Sequence, residues 1–143
     1  MQADPPMRVI KSFVKRQGRM TNAQEAALAK WLPTHSFTPT VGALNFEQIF
    51  GNSNPVVLEI GFGMGASLLT LASTNPQVNY IGVEVHAPGV GALLAGMAEM
   101  ELHNIRVSRE DANEVLQHNI SDNSLAGVQI FFPDPWPKKC HHK

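Results

Sequence analysis

Apolar positions along the chain change period several times, and each change marks an element. Val56-Val57-Leu58-Glu59-Ile60 is an apolar run broken by one acid, with the length and β-branched content of a buried strand. Asn79-Tyr80-Ile81-Gly82-Val83-Glu84, Ile105-Arg106-Val107-Ser108 and Gly127-Val128-Gln129-Ile130-Phe131-Phe132 repeat that signature. Between the runs the period lengthens to that of a helix. Residues from about Gly65 to Ser73 carry Leu68, Leu69 and Leu71 and close at Asn75-Pro76. After Pro88, which suits a first helical turn, Val90, Leu93, Leu94 and Met97 stand at i, i+3, i+4 and i+7, a core-facing stripe. A further helical turn after Asp111 carries Val115 and Leu116. Ahead of the first strand, Thr21-Asn22-Ala23-Gln24 has capping-box spacing and opens a helix through Leu28 and Trp31, which Pro33 should stop. Residues 33–44 read as loop, and Asn45 to Phe50 as a capped helical turn ended by Gly51. Strands alternating with helices predict an α/β fold built on a doubly wound parallel sheet.

Length and charge narrow this further. A chain of 143 residues is one domain, able to bury about two thirds of its unfolded surface. Its net charge of -1 hides an asymmetry. Residues 1–20 hold Arg8, Lys11, Lys15, Arg16 and Arg19 against Asp4, and residues 138–143 add Lys138, Lys139 and Lys143. The stretch between keeps Lys30, Arg106 and Arg109 against eleven acids. Two basic ends on an acidic body point to a polyanionic partner, with solvated termini as the plainer reading. One cysteine, Cys140, excludes a disulfide framework and a thiolate metal cage. Cys140, His141 and His142 are adjacent, and adjacent residues rarely converge on one ion, so no metal is expected. No apolar run resembles a signal peptide or is long enough to cross a membrane, so a cytoplasmic protein without membrane contact is the default.

The chemistry should sit at the carboxyl ends of the strands, where open α/β sheets bind ligands. Gly61, Gly63 and Gly65 follow the first strand at every second position and allow a sharp turn with a close ligand approach. Strand ends carry Glu59, Glu84, Asp111 and Asp134. Singly, each acid reads more naturally as a helix cap or solvated carboxylate, whereas four at consecutive strand ends form a constellation. Glu84 stands where an acid accepts both ribose hydroxyls of an adenosine cofactor. Gly61-x-Gly63-x-x-Ala66 also fits the relaxed dinucleotide fingerprint, which keeps a nicotinamide-dependent oxidoreductase in view. Glu59 weighs against it, because a carboxylate just before the glycines repels a pyrophosphate and welcomes an ammonium or sulfonium. S-adenosylmethionine carries both cations and no phosphate, and is the favoured cofactor.

Prolines on both sides stiffen the loop around Asp134, and Trp136 offers a flat face to a planar base. Four segments together carry a family resemblance: Ser12-Phe13-Val14-Lys15-Arg16-Gln17-Gly18-Arg19-Met20-Thr21, Leu58-Glu59-Ile60-Gly61-Phe62-Gly63-Met64-Gly65, Gly82-Val83-Glu84-Val85-His86 and Phe132-Pro133-Asp134-Pro135-Trp136-Pro137-Lys138-Lys139. In this order they resemble the bacterial tRNA (guanine-N7)-methyltransferases, of the class I S-adenosylmethionine-dependent group. The resemblance implies the Rossmann-like sheet of that class and methyl transfer from S-adenosylmethionine to guanosine N7 in tRNA. It implies that Glu59, Gly61, Gly63, Gly65, Glu84, Asp111 and Asp134 line the cofactor site. It also implies that Lys138 contacts tRNA, with His141 in the segment that follows; Lys139, Arg16 and Arg19 are expected beside them. Asp134 is the catalytic candidate. The family usually has a basic residue where Cys140 stands, which weakens one expected phosphate contact.

The expected division is 1–54 as a basic extension with short helices, and 55–143 as an α/β half-domain ending in the substrate-loop motif. The family continues past the position of Lys143 with further strands of a seven-stranded sheet, a downstream aspartate and a Thr-x-x-Glu segment. The chain is therefore expected to be C-terminally truncated, with an apolar fourth strand left as an edge, marginal stability and a tendency to self-associate. A catalytically dead relic that keeps cofactor or RNA binding is the alternative to an active enzyme.

Overall fold

In the computed structural model, residues 19–130 are described. They form a four-stranded parallel sheet in the order β3-β2-β1-β4, with β1 at Val56–Ile60, β2 at Asn79–Val83, β3 at Ile105–Ser108 and β4 at Gly127–Ile130. Five helices accompany it: α1 (Asn22–His35), α2 (Phe46–Phe50), α3 (Ala66–Thr74), α4 (Ala87–Met100) and α5 (Ala112–Asn119), with a 3-10 turn at Pro39–Val41. The expected Phe131 and Phe132 of the fourth strand lie outside the described residues.

Alternation along each strand sorts the side chains onto two faces. Val57 pairs in register with Tyr80, and Tyr80 with Ile105; this row and Val107 meet α1, α3 and α4. Leu58 pairs with Ile81 and Ile60 with Val83; this row meets Val115 of α5 and Phe46 of α2. The α4 stripe is buried as expected, with Val90, Leu93, Leu94 and Met97 all at most 4% exposed. The connections through α3 and α4 thus lie on one face and that through α5 on the other. This reversal carries the chain from β3 across to the far side of β1 and creates the switch point at β1 and β4.

Pro33 does not stop the first helix, which continues to His35 with the proline in its last turn. The proline removes one helical hydrogen bond, at a cost of about 3 kcal/mol in an isolated helix. Packing against α4, the most extensive helix contact in the fold, outweighs that cost. Gly91 permits it: a Cβ there would lie 2.8 Å from the Gln24 carbonyl oxygen. Side-chain hydroxyls accompany the helix end, Ser36 Oγ donating to the Leu32 carbonyl at 2.6 Å. The expected loop at 33–44 also carries more structure than its composition promised. Ser36 bridges Val107 in parallel, and the Phe37 N–H donates to the Val107 carbonyl at 3.1 Å. The buried Asn119 holds the next bend, donating to the Thr38 and Gly42 carbonyls at 3.1 and 2.8 Å.

The two sheet edges therefore differ. Backbone from residues 36–37 covers the outer side of β3. Beyond β4 no strand pairs among the described residues, and Val128 and Ile130 are 51% and 54% exposed. Among the described residues, β4 is thus an apolar edge, as expected.

Candidate cofactor crevice at the strand carboxyl ends

The chain leaves β1 through a turn in which Gly61, Gly63 and Gly65 all have positive φ, at 78°, 65° and 89°. Side chains rarely adopt that backbone, so the alternating glycines are a conformational requirement. Gly65 is also the N-cap of α3, and a Cβ there would lie 2.8 Å from Leu93 Cδ1. No side chain caps α3, so its first amides keep no side-chain acceptor from the cap residue.

Glu84, the residue after β2, organises this turn. Its Oε1 accepts from the Gly63 N–H at 2.7 Å and its Oε2 from the His86 N–H at 3.1 Å. The first turn of α4 closes on the same loop: a Cβ at Gly89 would stand 2.0 Å from the Gly63 carbonyl oxygen. Only glycine lets the two backbones approach this closely. Gly89 was not singled out in the sequence, where Pro88-Gly89 reads simply as a helix start. Its role depends on a contact 26 residues away along the chain.

Glu59 pairs in register with Gly82 and with Gln129, and so lies in the row of side chains that faces α3 and α4. It is 4% exposed, and no donor or cation among the described residues reaches its carboxylate. Burial pushes its pKa up. The missing side chain at Gly82 is filled by the Phe62 ring, whose Cδ2 lies 2.7 Å from an ideal Cβ there. Phe62 is the second residue whose role was not legible: nothing in a glycine motif says that the intervening aromatic roofs the sheet beside the buried acid.

Asp111 stands apart from this pair. It is the N-cap of α5, with Oδ2 accepting from the Asn113 and Glu114 amides at 3.0 and 3.3 Å, so the helix-cap reading of this acid holds. Its Oδ1 takes no bond among the described residues, and Asp111 is exposed beyond the outer strand β3. The structure thus brings Glu59 and Glu84 together around the glycine turn, with Asp111 farther along the rim. Arg19 lies exposed just before α1. Asp134, Lys138, Lys139, His141 and Arg16 lie outside the described residues, as does Cys140.

These features test the fit of a cofactor. Two carboxylates flank the turn without a paired lysine or arginine among the described residues, which suits a cation and resists a pyrophosphate. Glu84 keeps lone pairs free on both oxygens for hydroxyl donors. No cluster of three or more His, Cys, Asp or Glu side chains among the described residues could hold a metal ion. Among these residues no helix is long and apolar enough to cross a membrane.

Comparison with known proteins agrees with this architecture. A family model described as "Putative methyltransferase" matches residues 53–143. A curated relative from Vibrio cholerae, a tRNA (guanine-N(7)-)-methyltransferase, is 55% identical over 96% of this chain. One of the same name from Pectobacterium atrosepticum is 53% identical. The chain spans 57% and 58% of the length of these two relatives. Among solved structures, an antibiotic-related methyltransferase superposes with a TM-score of 0.52 at 18% identity, covering 69% of this chain and 48% of that one, and so shares the fold. With its glycine turn, strand-tip acids and sheet order in place, the chain belongs to the methyltransferase family that this model describes.

Proposed function

We propose that the protein transfers the methyl group of S-adenosylmethionine to N7 of a guanosine in tRNA. The observation that carries the cofactor half of this reading is the Glu59–Glu84 pair around the glycine turn. What supports the substrate half is the likeness to relatives named tRNA (guanine-N(7)-)-methyltransferase over 96% of the chain. The bound cofactor supplies an electrophilic methyl group on a positively charged sulfur. Glu84 would accept the ribose hydroxyls, Glu59 would face the cationic part, and the glycine turn would let the backbone approach. Asp111 extends the acidic rim with its free oxygen.

Guanine N7 has an in-plane lone pair and no proton, so no residue need act as a base. The protein's task is in-line placement at about 3–3.5 Å and stabilisation of the charge that develops on the ring. Asp134 is assigned that stabilising role, with Lys138, Lys139, His141, Arg16 and Arg19 holding the RNA. Parallel packing of α1 on α4 supports the position of the basic N-terminal segment: Gln24 meets Gly91 near the start of α4, so Arg19 enters at the crevice end of the sheet. A cytoplasmic location accompanies a tRNA substrate.

The test is methylation of an unmodified tRNA transcript by this chain and by Asp134→Ala, with S-adenosylhomocysteine affinity measured alongside. Turnover of Asp134→Ala is expected to fall about 100-fold or more, with affinity changed far less. Equal losses would make Asp134 a cofactor ligand only, and no methylation by the parent chain would leave the catalytically dead reading.

Self-association through β4 forms part of the same proposal, because its exposed Val128 and Ile130, with no strand paired beyond them among the described residues, offer a template for a second copy. Sedimentation over a concentration series is expected to show oligomers that Val128→Lys abolishes. A monomer at all concentrations would remove the idea.

A further inference from the structure

One concavity among the described residues lies away from the crevice. It is a cleft of about 360 Å³ between the carboxyl-terminal halves of α1 and α4, lined by Trp31, Leu94, Met97 and Leu102 with His35 and His103 at its polar edge. Its size falls in the range of about 300–1,000 Å³ usual for small-molecule sites. Trp31 is half-buried, with Lys30 Nζ 4.9 Å from its ring centroid and the His35 ring edge-on at 5.7 Å.

Charge singles out the same place. Of the three basic residues between positions 21 and 137, Lys30 stands over the Trp31 ring and Arg106 lies near His35, whose pKa is lowered by burial first and by Arg106 second. The Arg106 guanidinium is held by the His103, Ile105 and Ile49 carbonyls and lies over Phe50, so its charge is fixed in position. Glu101, also on the lining, is the opposing carboxylate, held with φ 57° at the end of α4. A flat aromatic wall with a cationic side chain beside it, here Trp31 with Lys30, is a usual platform for an unpaired base, which stacks while its phosphate meets the cation.

We propose that this cleft receives an unpaired nucleotide of the RNA substrate, its base stacked on Trp31 and its phosphate met by Lys30. The assignment rests on RNA being the substrate, as argued above. Lys30 is exposed and covers the ring in the free protein, and it moves from the ring to the phosphate as the base arrives. The cleft lies toward the far end of α1 from the crevice. That helix has 14 residues, so the two sites are separated by about 20 Å, a distance that one folded RNA spans. The second contact thus fixes which way the RNA crosses the α1–α4 face.

The test uses the full chain labelled with 5-fluorotryptophan. Its two tryptophans, Trp31 and Trp136, give two fluorine resonances, assigned through Trp31→Phe. On titration with unmodified tRNA the Trp31 resonance is expected to shift, and to stay still with a blunt RNA duplex that has no unpaired base. Trp31→Leu should weaken tRNA affinity about tenfold or more, with S-adenosylhomocysteine affinity unchanged and Trp31→Phe restoring much of the loss. Because Trp31 also packs against the core, Lys30→Gln provides a second variant on an exposed residue, expected to weaken tRNA binding severalfold and flatten its salt dependence. Methylation with an unmoved Trp31 resonance at saturating tRNA overturns the cleft and leaves the enzyme reading standing. A shifted resonance without methylation does the reverse, and a chain that binds no RNA overturns both.

Discussion

Glu84→Gln is expected to weaken S-adenosylhomocysteine binding by about 100-fold or more in a calorimetric titration, with a smaller loss of thermal stability. The carboxylate does two things at once. It accepts from the Gly63 and His86 amides, which sets the glycine turn, and it keeps lone pairs for two ribose hydroxyls. Each hydrogen bond to the charged group contributes about 1.5–3 kcal/mol, roughly tenfold to a hundredfold in affinity. Glutamine keeps one acceptor oxygen and turns an NH2 toward a backbone N–H or a ribose hydroxyl, so both tasks suffer together. Loss of stability with full cofactor affinity would reduce Glu84 to a brace for the loop.

Glu59→Gln is expected to act in opposite directions on fold and ligand. The carboxylate is 4% exposed with no partner among the described residues, and burial raises its pKa above the ordinary value of 4.5. A raised folded pKa means that the unfolded chain loses its proton first. Below about pH 4 both states are protonated and the residue is neutral in its effect. As pH rises through 4.5 and then through the higher folded value, the folded state alone bears the cost of a buried charge, so stability falls across that window. Glutamine removes the cost. The variant should melt about 2–5 °C above the parent near pH 7 and show no gain at pH 4. Its affinity for S-adenosylmethionine should collapse if, as proposed, this anion faces the cofactor's positive charge. A variant with the parent's melting temperature at both pH values would show that the buried carboxylate carries no strain, and unchanged cofactor affinity would remove Glu59 from the site.

Both expectations concern residues visible in the sequence because their chemistry is local. A strand with one acid before alternating glycines announces its own turn, and the acid about twenty residues on stands at the next strand tip, where it accepts from the Gly63 amide. The α4 stripe was legible for the same reason, since periodicity records which face is buried whatever it is buried against. Asp111 shows the limit. A residue type that suits both a helix cap and a ligand cannot declare its use, and in the folded chain one of its oxygens serves the cap.

The sequence alone determined the strand-and-helix alternation, the conformational need for glycine in the turn, and the acidic character of the strand tips. Each depends on backbone sterics or side-chain chemistry within a few residues. Tertiary structure decided the rest. It carried α1 through Pro33 by packing against α4, used Gly89 to seat the glycine turn, roofed Gly82 with Phe62, and gathered Trp31 and His35 with Leu94, Met97 and His103 from two distant segments into one cleft. These are contacts between residues far apart along the chain, and their energies exist only once the sheet order β3-β2-β1-β4 has brought the segments together.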